Sequence, residues 1–161
     1  MQIKIEDELK KQIEEASSAF YIDWYLVASI CYIESAFNKD ALRFEPGYRW
    51  TCKPEHYARL HHITISTEKA LQMFSWGLMQ VMGGTVRDLG YDGKLQDLLD
   101  PKTNLYYGCL YLKHKIELYS KIEDAIAAYN AGVAIRDLNN NLKNQMYVDK
   151  VMTVYDYLRR V

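Results

Sequence analysis

Among the side chains able to do chemistry, Glu34 stands apart because of its setting, near the end of a mostly apolar run from Asp23 to Phe37. Leu26, Val27, Ile30 and Ile33 recur at helical spacing, which predicts a helix with a core-facing side and Asp23 as its N-cap. No Lys or Arg lies within a helical turn of Glu34 on that segment. Burying an unpaired carboxylate costs on the order of several kcal/mol, and the usual escape is a raised pKa that keeps the proton. A carboxylic acid still protonated near neutral pH is what general acid catalysis requires. The alternative is a glutamate at a helix end that looks into water and does nothing chemical. His56, His61 and His62 invite a metal, but their spacing fits no familiar zinc pattern and no cysteine pair accompanies them. Solvated histidines are therefore expected, with no metal and no cofactor.

Several elements must hold that acid. Residues 5–19 read as an amphipathic helix with Ile5, Leu9, Ile13 and Ala16 on one face, closing the back of the domain. Residues 43–54 are irregular, because prolines and a glycine interrupt an aromatic, charged stretch. A short helix is expected over 55–62. The alternation in His61-His62-Ile63-Thr64-Ile65-Ser66 suggests a brief strand, hence one minor β-hairpin between Trp50 and Ser66. Further helices are expected over 67–73, with Ser66 or Thr67 as cap, and over 85–89, ended by Gly90. Asp100-Pro101 is a strong start for a helix to about Tyr119, with Asp as N-cap and Pro in the first turn. Segments 122–129 and 145–160 complete the set. The fold class is mainly α, with six to nine helices in a single domain over residues 1–161, of which 1–20 form the N-terminal helix and 21–161 the core.

Composition narrows the partners. With 20 basic against 21 acidic residues there is no electrostatic case for nucleic acid or an anionic membrane. No apolar run suits a membrane span, and the start of the chain lacks the pattern of a secretory signal. Fourteen tyrosines supply flat rings with polar tips, which suit a wet groove that takes sugar rings. Cys31, Cys52 and Cys109 form no disulfide framework, so synthesis in a reducing compartment is the default, with Cys31 and Cys109 as small core residues.

Four pieces then align in order: Glu34-Ser35-Ala36-Phe37, Ser75-Trp76-Gly77-Leu78-Met79-Gln80, Asp100-Pro101 with Asn104 and Gly108, and Ala127-Ala128-Tyr129-Asn130-Ala131-Gly132. Together they resemble the lytic transglycosylase family with the goose-lysozyme-like fold, over roughly residues 20 to 155. The resemblance implies a peptidoglycan-cleaving enzyme in which Glu34 is the catalytic acid. Glu34 would protonate the oxygen between N-acetylmuramic acid and N-acetylglucosamine. It would then act as base on the muramic C6 hydroxyl, closing a 1,6-anhydro ring. Met79 and Gln80 would line the cleft beside the acid, Tyr129 and Asn130 would hold the sugar from the opposite wall, and Tyr147 would add a hydroxyl. Ser35 and Ser75 would support the acid's helix and the turn. The partner would be the glycan strand, met by a monomer delivered to the cell wall by a phage route or otherwise.

The chain departs from the family's pattern in its aromatic insert between Phe37 and Phe74, and in Val81-Met82-Gly83-Gly84-Thr85, where members commonly carry a proline. The insert contains Glu45. In one reading Glu45 positions a water and makes the enzyme a hydrolytic muramidase; in the other it pairs with Arg43 or Arg49. A third possibility is a glycan-binding module without catalysis.

Overall fold

The computed structural model describes residues 2–160. Eight α-helices and a small sheet make up the described chain: α1 (Asp7–Ala19), α2 (Trp24–Ser35), β1 (Leu42–Phe44), α3 (Pro54–Leu60), α4 (Ile65–Gln72), β2 (Phe74–Trp76), β3 (Val81–Met82), α5 (Gly83–Asp88), α6 (Pro101–Leu118), α7 (Ile122–Ala131) and α8 (Gln145–Leu158). A 3₁₀ turn, Leu95–Leu99, leads into α6. The fold is mainly α, as the sequence predicts.

The capping signals act where expected. Asp23 accepts from the Tyr25 backbone N–H at 3.0 Å, and its second oxygen accepts from the Tyr155 hydroxyl at 2.8 Å, so the start of α2 is also fastened to α8. Asp100 accepts from the Thr103 N–H at 2.9 Å with Pro101 in the first turn of α6. The apolar faces of α2, α6, α7 and α8 meet in one core that includes Ile30, Cys31, Leu105, Cys109, Leu112, Ile126 and Val151. Ile13 carries α1 into that core, while Ile5, Leu9 and Ala16 pack at its edge.

The sheet lies elsewhere than expected. No strand occurs between Trp50 and Ser66; the antiparallel order is β1-β2-β3, with Arg43 opposite Ser75 and Ser75 opposite Met82. The alternation at 61–66 is a turn followed by a cap: Thr64 accepts from the Thr67 N–H at 3.1 Å and starts α4 two residues early. Pro54 sits in the first turn of α3, which removes its side of any hairpin.

Glycine–methionine packing sets the depth of the turn between β2 and β3. A Cβ on Gly108 would lie 2.2 Å from the Met79 sulfur, so the absence of a side chain lets α6 touch the turn. Gly77, at φ +65°, is backed the same way by Asn104, whose side chain would stand 2.5 Å from an added Cβ.

Candidate active site

Glu34 is the penultimate residue of α2, and the helix stops abruptly behind it. Ala36 and Phe37 both adopt left-handed conformations, at φ 50° and 64°. Their N–H groups close a Schellman motif onto Tyr32 and Cys31. Gln80, at φ 48°, is a third left-handed residue in the group. Such conformations cost non-glycine residues about 1–3 kcal/mol each and persist where surrounding structure over-determines them.

The half-buried Glu34 carboxyl lines a cavity of about 650 Å³ together with Glu45, Tyr48, Trp50, Gln80 and Tyr129, among others. The Tyr147 hydroxyl, from α8, donates to Glu34 Oε1 at 2.6 Å. Burial pushes the Glu34 pKa above its ordinary value of 4.5; the Tyr147 bond and the Arg43 charge oppose that rise, and the Glu45 charge adds to it. Burial, followed by the Glu34 charge, holds the Tyr147 hydroxyl well above its ordinary range, so it remains a donor.

The turn facing the acid is wired from behind. Ser35 Oγ reaches the Leu78 carbonyl at 2.8 Å and its own helix at Cys31 O, tying α2 to the turn. Asn104 is fully buried; its NH₂ donates to Trp76 O and Leu98 O, and its oxygen accepts from the Met79 N–H at 2.9 Å. Ser75 donates to Gln80 Oε1 at 2.9 Å, and Gln80 donates to Ala41 O and Gly77 O. The Gln80 NH₂ is thus committed within the protein, and one acceptor position on Oε1 is left for a ligand.

These positions coincide with a match to known proteins. A family model described as the transglycosylase SLT domain matches residues 11–150. The chain belongs to that family. The match begins inside α1, so it takes in most of the first helix, every residue of the cavity and Tyr147. A transglycosylase of Enterobacteria phage PRD1 is 33 % identical over 76 residues, which is 47 % of this chain but only 26 % of that phage protein. The chain thus aligns with about a quarter of the curated relative it matches.

The residues named for this SLT domain from sequence fall into distinct places. Glu34, Gln80, Tyr129 and Asn130 line the cavity, as does Ser75, while Tyr147 touches the acid itself. Met79 does not line it, which corrects the expectation of a cleft-facing side chain. Its side chain is wholly buried against Gly108, and only its backbone takes part, its carbonyl accepting from the Tyr129 hydroxyl at 2.8 Å. With that bond made, Tyr129 offers the cleft its ring, which packs on Tyr111 at 5.2 Å between centroids. Asn130 accepts from the Asn144 NH₂ at 3.0 Å, so its own NH₂ remains available.

Glu45 lies in the cavity wall, paired with the Arg43 guanidinium. Tyr111 was not identified as a site residue from sequence, although it stands three positions after Gly108 on α6 and so near the close contact with the turn. Burial pushes its hydroxyl up to about 12. Among the described residues no cluster of His, Cys, Asp and Glu could hold a metal ion, and no helix is long and apolar enough to cross a membrane.

Proposed function

We propose that the chain is a peptidoglycan lytic transglycosylase that cleaves the glycan strand between N-acetylmuramic acid and N-acetylglucosamine without water. The observation that carries this reading is the Glu34 carboxyl in the cavity wall, its pKa raised by burial and its Oε1 bonded at 2.6 Å to the Tyr147 hydroxyl. In the first half, the Glu34 proton passes to the glycosidic oxygen as the bond from that oxygen to the muramic C1 breaks. In the second, the Glu34 carboxylate takes the proton from the muramic C6 hydroxyl, whose oxygen forms the new bond to C1. The acid returns to its starting state. An internal nucleophile held beside the reacting carbon has a high effective molarity, so no second carboxylate is needed to activate water.

A muramidase reading has its own support, since Glu45 lines the same cavity. Its pairing with Arg43 favours the lyase, because a carboxylate engaged by a guanidinium has fewer oxygen lone pairs free to position a water. Mass spectrometry of digested cell wall separates the two. Anhydro-muropeptides one water lighter than hydrolysed ones are expected, and exclusively reducing ends would establish the muramidase. Glu34→Gln is expected to clear cell walls at least about 100-fold more slowly, the usual scale for loss of a positioned acid. Undiminished clearance would leave the proposal without its acid.

A further inference from the structure

The insert between β1 and α3 carries two aromatic rings into the cavity. Tyr48 and Trp50 line it together with Glu34, their rings edge to face at 5.6 Å. Trp50 lies at a different depth from the acid: Glu34 and Tyr48 are half-buried, whereas Trp50 is 74 % exposed. A ring this size left in water forfeits burial worth roughly 25 cal/mol per Å² of apolar surface. A loose loop would fold the ring away.

This loop is not loose. The Glu45 N–H donates to Met73 O at 2.9 Å, and Tyr48 pairs with the Thr85 hydroxyl at 3.3 Å. The Cys52 peptide is gripped on both sides by one side chain: its N–H donates to Gln72 Oε1 at 2.6 Å, and its carbonyl accepts from Gln72 Nε2 at 3.0 Å. Gln72 is bonded in turn to Glu68, which forms a fully buried ion pair with Arg87 at 2.8 Å. Gly84 completes the fit; a Cβ there would stand 2.4 Å from the Trp50 carbonyl. The anchors are backbone contacts and buried polar groups beneath the loop, so the Trp50 ring contributes little to holding it. Its exposure follows from a backbone fixed without its help.

We propose that Tyr48 and Trp50 form a stacking subsite for a sugar ring flanking the linkage at which Glu34 acts, making the enzyme select longer glycan strands. A β-linked pyranose presents an apolar C–H face suited to a flat ring edged by polar groups. Because the loop is already immobilised, stacking carries little ordering cost. The inference rests on the cleft being a glycan-cleaving site.

The test is calorimetric titration of Glu34→Gln, which holds strands without cutting them, with peptide-free glycan strands of increasing length. Affinity is expected to rise with length. Adding Trp50→Ala is expected to lower affinity for the longest strands about tenfold and to flatten the length dependence, and Trp50→Phe to restore part of it. An unchanged length dependence in Trp50→Ala overturns the subsite. If the parent clears cell walls while that profile is unchanged, only the subsite falls. If the parent neither clears walls nor binds strands, the reading of the cleft falls and takes the subsite with it.

Discussion

At the scale of single residues, the decisive pair is Glu34 and Tyr147. A hydrogen bond donated to a carboxyl favours its ionised form, so Tyr147 lowers a pKa that burial raises. Tyr147→Phe removes the lowering contribution and leaves the raising one. The Glu34 pKa then climbs further, and since a general acid must start protonated, the alkaline limb of kcat/KM is expected to move to higher pH. A limb that stays put or moves down in a pH–rate profile would contradict this coupling. The same residue bears on stability. Glu34 has a folded pKa above its unfolded one, so its favourable contribution is present below the unfolded pKa and is lost as pH rises through the folded value. Glu34→Gln mimics the neutral acid at every pH. It is expected to raise Tm near neutral pH, with the difference vanishing once the solution falls below the ordinary value of 4.5. Thermal melts of both proteins across that range check it.

At the scale of elements, the contact between α6 and the β2–β3 turn sets two small effects against each other. Gly108→Ala gains about 1 kcal/mol of helix propensity. It also drives a Cβ into the buried Met79, an overpacking that costs about 1–3 kcal/mol. Because Met79 is wholly buried and its N–H and carbonyl are both bonded, the strain is expected to win by about 1 kcal/mol, read from denaturant melts. This contact also shows where sequence reading succeeds and stops. Caps such as Asp23 and Asp100-Pro101 are local, so they were legible. Met79 was misplaced because adjacency to Gln80 says nothing of direction: the left-handed bend at Gln80 turns the two side chains to different environments. The strands were misplaced because segments of two or three residues carry almost no pattern of their own, and β1 exists only by pairing with a partner thirty or more positions away.

At the scale of the whole molecule, the buried Glu68–Arg87 pair is the largest polar investment in the core, and no local pattern marks it. Arg87 also donates to Tyr91 O and Gly93 O and stacks on Tyr57, so α3, α4, α5 and the following loop converge on one guanidinium. Glu68→Gln leaves that charge buried without its partner, and a loss of about 3–5 kcal/mol is expected in equilibrium unfolding. A loss under about 1 kcal/mol would mean that the three carbonyl and ring contacts suffice. Glu34, Gln80, Tyr129 and Asn130 were accessible from sequence because they fall in short ordered motifs. Tyr111 and the Glu68–Arg87 anchor were not, because each is defined only by what the chain brings against it.

The bond from Tyr147 to Glu34 joins residues 113 positions apart, and the neighbouring Tyr155–Asp23 bond spans 132. Both depend on the last helix docking against the second, which is a late event if closure of long loops delays assembly. A nascent or clipped chain that lacks α8 therefore holds its acid in a different electrostatic setting from the finished protein. On the proposed mechanism, the glutamate would acquire its working environment only when the last helix arrives, so full potency would report that folding is complete.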